Sequence, residues 1–202
     1  IVADRSESLS VVEQFVDVGG DPAWTNSVTE VSVGENAEVE HVQIISGSGG
    51  ALRTGHVTAQ IDRDGRFKSH TVTLSGQIGR SEIHAKLIGT GASCQLDGLY
   101  VACGKTVADN YTEIEHIATH TTSGESYKGV IDDRATGGFV GRVLILEGAI
   151  QSQTHQLNNN LLLSDGAIVH TRPQLEIDND DVVATHGSTV GQLDESAVFY
   201  LR

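Results

Sequence analysis

His186 is the residue of this sequence whose type and surroundings are best suited to metal chemistry. It lies in a run of mostly small and polar residues at 185–191, Thr-His-Gly-Ser-Thr-Val-Gly. A neutral imidazole is a good iron ligand, and its second ring nitrogen then needs a hydrogen-bonding partner, for which Asp180 or Asp181 is the candidate. The small neighbours would let a partner protein or a metal cluster approach closely. The alternative is a histidine that only forms a hydrogen bond within a turn.

The other histidines carry weaker signals. His116 and His120 are four residues apart, a spacing that places both on one face of a helix or of a strand. A zinc pair needs further ligands at a characteristic spacing, and none follows, so a polar strand face is the favoured interpretation. His155 and His170 flank an asparagine-rich segment, and we expect them near His186 if neighbouring segments stack.

Cysteine and asparagine residues give two further candidate groups. Cys94 and Cys103 could hold a metal as a thiolate pair, but small buried thiols are the favoured interpretation. Two cysteines are too few to form a disulfide framework in a chain of 202 residues. This favours a cytoplasmic location, with reduced thiols. The three asparagines at 158–160 are expected to form a ladder or a turn that satisfies backbone groups.

Enzymatic motifs are absent from the sequence. It contains neither a Gly-x-Ser-x-Gly elbow nor an HExxH motif, and the glycine-rich segment 47–50 lacks the P-loop lysine, so we expect no ATP hydrolysis. One enzymatic alternative is a carbohydrate-active protein with an acidic cleft, although aromatic residues make up only 4% of the chain. Its paired carboxylates would come from Asp132, Asp133, Asp178, Asp180 and Asp181.

The charge balance excludes two classes of partner. The formal net charge is −14, which repels nucleic acid phosphates and anionic membrane surfaces. No run approaches the length needed to cross a bilayer, and residues 1–5 do not read as a signal peptide.

The elements that must position these residues are mostly short strands. Helix signals are scarce: residues 8–16 fit a short helix or a strand, and a helix is predicted to open at Asp194 and continue through Glu195. We therefore expect a core at 1–193 and the start of a truncated helical region at 194–202, within a longer polypeptide. Apolar or alternating strands are predicted at 31–33, 39–45, 57–61, 71–74, 83–87 and 143–146.

The sequence contains one internal repeat that bears on the fold. Residues 142–150 and 160–168 share a plan of apolar strand, acidic residue, Gly-Ala and a second strand. Short strands closed by small-residue turns at near-regular spacing are typical of stacked coils, so an all-β parallel β-helix is predicted. A β-sandwich also gives many short strands and is the alternative.

Several short sequence blocks, taken in their order along the chain, resemble a known protein family. Asp109-Asn110, 116–123 and 127–132 are followed by 138–143, by Asn-Asn-Leu-Leu-Leu-Ser at 159–164, by Pro-Gln-Leu-Glu-Ile at 173–177 and by His-Gly-Ser-Thr-Val-Gly at 186–191. In this order the blocks resemble the SufB/SufD family, the scaffold proteins of the Suf iron–sulfur cluster assembly system. The resemblance implies a right-handed parallel β-helix.

Within the family, the chain is more similar to the SufD side. His186 is followed by Gly187, where SufB-like chains typically have glutamate. The cysteine of SufB-like chains thought to act in cluster assembly has no counterpart near Asn158. Many SufD chains have a cysteine two residues before the histidine, where this chain has Ala184.

The resemblance implies a non-catalytic scaffold. It would pair with SufB, dock the SufC ATPase through the helical region, and contribute His186 as a ligand to a transient iron–sulfur cluster shared with the partner. No cluster is expected in the isolated chain, which could instead form a homodimer. A metal-free structural adaptor is a further alternative.

Overall fold

The computed structural model describes residues 1–16, 23–47, 50–74, 76–193 and 195–200. Within these ranges the chain forms fourteen strands and one short helix. They are β1 (Val2–Ala3), β2 (Ser8–Val16), β3 (Trp24–Val33), β4 (Glu38–Ser46), β5 (Leu52–Ile61), β6 (Arg66–Thr73), β7 (Ile78–Leu87), β8 (Ser93–Ala102), β9 (Val107–His116), β10 (Thr122–Ile131), β11 (Thr136–Ile145), β12 (Ser152–Leu162), β13 (Ile168–Ile177), β14 (Val182–Gln192) and α1 (Glu195–Tyr200).

The strands form two parallel sheets of seven strands each. The odd-numbered strands make sheet A, in the order β1-β3-β5-β7-β9-β11-β13, and the even-numbered strands make sheet B, which ends at β14. Consecutive strands therefore alternate between the sheets, and the chain winds through about six coils. This confirms the predicted β-helix. It excludes the sandwich, whose sheets are antiparallel.

Alternation of side chains explains why these segments are strands. In β9 every second residue is buried between the sheets, and Ile114 is fully buried there. The predicted strands all fall on observed ones, and residues 8–16 form strand β2 rather than a helix. Valines at 11, 12 and 16 favour this outcome, because β-branched side chains pack well on a pleated surface.

Residues in the left-handed conformation mark one corner of successive coils. Asn36 and Asp64 have φ of 54° and 56°, a region that these two residue types tolerate better than most. The amide of Asn36 donates to the carbonyl of Arg63, and that of Asp64 donates to the carbonyl of Thr90. Each turn is thereby held by the next coil.

The internal repeat corresponds to half a coil of the β-helix rather than to a whole coil. Residues 142–150 include the end of β11 in sheet A, and 160–168 include the end of β12 in sheet B. The full repeat appears in the strand register, where Val143 pairs with Ile114 on one side and with Leu175 on the other.

The predicted helix is present as α1, whereas its proposed cap, Asp194, lies outside the described residues. Among the described residues, no helix is both long and apolar enough to cross a membrane.

Candidate functional site

His186 lies on β14, the last strand of sheet B. It pairs in register with Gln156 of β12, so both residues belong to the inner face of the sheet. Gln156 is fully buried, but His186 is exposed because no described strand follows β14 in the sheet. Within the described part of the chain, the His186 imidazole has no hydrogen-bond partner. It is therefore free to bind a ligand at the open end of the β-helix.

The two aspartates predicted to support His186 do not reach it. Asp180 and Asp181 lie before β14, and the strand between them and His186 is extended. At roughly 3.3 Å per residue, Asp181 lies about 16 Å from His186 along the strand. Asp181 instead uses its backbone, donating to Oδ1 of Asn179 and accepting from the amide of Gln151. The predicted partnership is therefore wrong.

A buried carboxyl group lies behind His186 in the same column of the sheet. Gln156 pairs with Glu125 of β10 on one side and with His186 on the other. Its Nε2 donates to Oε2 of Glu125 at 2.5 Å. Burial raises the pKa of Glu125 to about 7, although the nearby hydroxyl of Thr112 and the amide of Gln156 act in the opposite direction.

Sequence reasoning missed Glu125. The signal available was its position: in Ser-Gly-Glu-Ser-Tyr, residues 123–127, it alternates in phase with the inward Ser123 and Tyr127. An acidic side chain at an inward position of a strand is costly to bury, and such groups are often functional.

Asparagine side chains hold the neighbouring inner positions. Asn160 donates to Oδ1 of Asn158 at 2.6 Å, and Asn158 donates to the carbonyl of Tyr127 at 3.2 Å. The hydroxyl of Tyr100 donates to Oδ1 of Asn160. Burial raises the pKa of Tyr100 to about 12, so it remains a donor at neutral pH. The prediction for 158–160 is therefore confirmed for Asn158 and Asn160, whose bonds include one backbone carbonyl. It is wrong for Asn159, which lies on the outer face and accepts from the Thr189 hydroxyl.

The structure separates His116 from His120. His116 ends β9 and is fully buried, with Nδ1 2.7 Å from the hydroxyl of Thr121 and Nε2 2.8 Å from that of Ser123. Burial lowers its pKa to about 4. His120 lies in the following turn with φ of 58°. The two histidines do not share a strand face, and both nitrogens of His116 are engaged.

The side chains of the remaining two histidines, His155 and His170, do not share a face with that of His186. His155 is exposed on the outer face of β12, where Nδ1 is 2.6 Å from the hydroxyl of Thr185. His170 is exposed on β13 in the other sheet. His155 is therefore close to His186 in the neighbouring coil, as expected, but its side chain is on the opposite face of the sheet, whereas His170 belongs to the other sheet.

The two cysteines are both free, but only one is buried. Burial raises the pKa of the Cys94 thiol, as expected of an inert core residue. Cys103 is exposed in the turn before Gly104, which has φ of 69°. The prediction of two buried thiols is confirmed for Cys94 and wrong for Cys103.

Asp132 and Asp133, which were candidate carboxylates for a carbohydrate-active enzyme, have a structural role. Asp132 accepts hydrogen bonds from the Ser164 hydroxyl at 2.6 Å and from the Asp133 amide at 2.8 Å. These bonds lower its pKa. The pair lies in a turn between β10 and β11, where it connects to the turn of the next coil.

Comparison with known proteins agrees with this architecture. The whole chain, residues 1–202, matches the family model described as "SUF system FeS cluster assembly, SufBD core domain". It is 30% identical, over all of its length, to the iron–sulfur cluster assembly protein SufD of Escherichia coli, of which it covers 47%. It is likewise similar to a SufBD family protein of Synechocystis (30% identical, 46% of that protein) and to SufD of Bacillus subtilis (29%, 46%). The chain thus spans about half the length of these curated relatives.

The fold defines a parallel β-helical protein with an open end at β13 and β14. The chain belongs to the SufBD core family of the SUF iron–sulfur cluster assembly system.

Proposed function

We propose that this chain is the β-helical core of a SufD-like scaffold that presents His186 to a SufB-like partner. The observation that carries the proposal is the position of His186, exposed on an edge strand at the open end of the β-helix. The imidazole would supply one ligand to an iron–sulfur cluster that assembles between the two proteins. The cluster is cargo, shared with the partner and released.

The edge of β14 supports a protein partner at this end. Among the described strands, β14 pairs only with β12, so its other edge has backbone groups available for pairing with another chain. Large apolar side chains on or beside the last two strands are also exposed, which is typical of protein interfaces. They are Ile168, Ile177, Val183, Val190 and Leu193.

The helical region that follows the core has a separate role in this proposal. We assign residues 1–193 to the core and 194–202 to the start of a region that docks the SufC ATPase, with α1 at Glu195–Tyr200 as its first described part. ATP-driven movement of the ATPase would reshape the interface between the SufB-like and SufD-like proteins. The chain itself is non-catalytic in this proposal, and its location is the cytoplasm. In the absence of a SufB-like partner, it would pair with a second copy of itself.

A charge placed on the proposed interface tests the pairing. Val190 is 50% exposed on β14, and Val28, which is 68% exposed on β3, is the matched control on another face. Val190→Glu should abolish co-purification with the SufB-like partner, because an unpaired carboxylate would be buried in the interface. Val28→Glu should leave co-purification unchanged. If the Val190→Glu variant still binds the partner as tightly as the parent, the interface is not at β14.

A further inference from the structure

A second cluster of ligand-type side chains lies on the outer face of sheet A. His56 comes from β5, and Glu82 and His84 come from β7, the neighbouring strand. His56 pairs in register with Glu82. The cluster therefore joins two successive coils, and it belongs to the other sheet from His186.

The three side chains converge. One ring nitrogen of each histidine and one carboxylate oxygen of Glu82 all lie within 4.8 Å of one another. Nδ1 of His56 is 3.6 Å from Oε2 of Glu82, and the two imidazole rings meet edge to face with centroids 4.8 Å apart. Ligands of a tetrahedral metal ion at 2.0–2.1 Å are about 3.4 Å apart, so binding needs small side-chain rotations without movement of the strands.

Among the described residues, one ring nitrogen of His84 and one carboxylate oxygen of Glu82 have no partner outside the cluster. Nε2 of His84 is buried and, within the described residues, has no hydrogen-bond partner. An orphaned buried nitrogen of this kind requires an explanation, and a metal ion or a water molecule at the cluster would supply one. Arg80 donates to Oε1 of Glu82 at 2.7 Å, which leaves Oε2 facing His56.

Neighbouring side chains hold the ring of His84 in place, and the carboxylate of Glu113 is close enough to interact with it. The ring of Tyr111 lies 5.5 Å from that of His84, and its hydroxyl donates to Glu113. Glu113 is held in turn by Arg142 at 3.0 Å. These contacts restrict the His84 ring and keep a carboxylate beside it, as the outer partners of metal ligands do.

We propose that His56, Glu82 and His84 bind a divalent first-row transition-metal ion, with water completing its coordination. Two imidazoles and one carboxylate form a ligand set suited to zinc and to ferrous iron and unsuited to magnesium or calcium. The bound ion would connect β5 to β7 and stabilise these coils. The site is independent of the cluster ligand proposed at His186.

A second histidine–carboxylate group provides the matched control. His70, on the outer face of sheet B, has Nε2 3.8 Å from Glu40 and Nδ1 3.3 Å from Asp97. Its two carboxylates face different nitrogens of one ring, so they cannot converge with it on one ion. Among the described residues, only the cluster at His56 brings three ligand atoms together.

Zinc titration of the metal-free protein tests the proposal. After treatment with a chelator, the protein should bind one Zn²⁺ ion by calorimetry, and its melting temperature should rise with Zn²⁺ concentration, because the ion binds only the folded state. Co²⁺ should give the visible absorption of a site with nitrogen and oxygen ligands. His84→Asn should weaken Zn²⁺ binding at least tenfold, whereas His70→Asn should leave it unchanged.

Two outcomes would overturn the proposal. One is a parent protein without stoichiometric Zn²⁺ binding. The other is a folded His84→Asn variant, checked by circular dichroism, that binds Zn²⁺ as tightly as the parent. His186→Ala separates this site from the proposed function. The variant should keep the full Zn²⁺ affinity, and a tenfold loss there would place the ion at the end of the β-helix instead.

Discussion

The side-chain amide of Gln156 donates to the buried carboxyl group of Glu125, and on its other side Gln156 pairs with His186. An ionisable group inside the β-helix is therefore joined in one column to the exposed histidine at its end. Removing charge from water is costly, so Glu125 must affect the stability of the fold.

We expect Glu125→Gln to change how stability depends on pH. The pKa of Glu125 is raised from 4.5 to about 7 by burial, so the folded chain binds a proton that the unfolded chain has lost. This contribution is fully present below pH 4.5 and is lost as pH rises to about 7, a difference of roughly 3 kcal/mol. The variant has no carboxyl group to ionise at this position, so its stability does not fall in this way. The difference in free energy of unfolding between variant and parent should therefore be larger at pH 8 than at pH 5. Urea unfolding at the two pH values measures it, and an equal difference at both would contradict a buried carboxyl group.

His116 should give the opposite slope. Burial lowers its pKa from 6.5 to about 4, so the unfolded chain binds a proton that the folded chain excludes, and stability rises with pH across that window. In the parent the two slopes oppose each other between pH 4.5 and 6.5. At pH 8, where His116 is neutral in both states, His116→Gln should be less stable by about 1–2 kcal/mol, because the two hydrogen bonds of the imidazole are lost or altered. Its stability should then fall as pH rises from 4.5 to 7. A variant that retains the pH profile of the parent would show that His116 is not buried in neutral form.

Gly98→Ala should destabilise the core through Tyr127. A Cβ atom at Gly98 would lie 2.1 Å from a ring carbon of Tyr127, which is fully enclosed and unable to withdraw. We expect a loss of about 3 kcal/mol in the free energy of unfolding. Gly79→Ala is the control, because its added Cβ would make only an ordinary contact, at 3.5 Å from Thr73. Chemical denaturation of both variants measures the difference, and equal stability would contradict the packing described for Tyr127.

The strands and their stacking could be predicted from the sequence, because alternation and small-residue turns are local signals. The partners of each residue could not, because the coils differ in length. His56 pairs with Glu82, 26 residues further on, whereas Arg142 pairs with Gln174, 32 residues further on. Because the repeat length is not constant, sequence spacing does not give the register of the strands. The cluster at His56, Glu82 and His84 could therefore not be predicted from the sequence.

Proximity in sequence was misleading at the candidate site. Asp181 is five residues from His186, close enough to interact in a compact loop, but the segment after it is an extended strand. Gln156, thirty residues away, is the actual neighbour. His186 itself could be identified from the sequence, because the family motif around it is a short, continuous segment.

Ala184→Cys should report on the same surface as His186. The two residues are separated by one position on β14, so their side chains point to the same face. A thiol there restores the group that the family resemblance associates with this position. It should react with a maleimide in the isolated protein and be protected in the complex with the SufB-like partner. Equal labelling in both states would place the interface elsewhere.

Cluster assembly by the His186→Ala variant is the most direct test of the proposed function. His186 is exposed, so its removal should change the free energy of unfolding by no more than about 0.5 kcal/mol. His155→Ala is the control, because His155 is an exposed histidine on the outer face of the neighbouring strand, whereas His116 is too deeply buried for this purpose.

The measurement is the visible absorbance of the iron–sulfur cluster formed on the complex with SufB- and SufC-like partners, with thermal stability recorded on the same samples. The proposed function predicts that His186→Ala folds and assembles with its partners but forms little cluster, while His155→Ala forms the parental amount. Parental cluster absorbance in the His186→Ala complex would contradict the account.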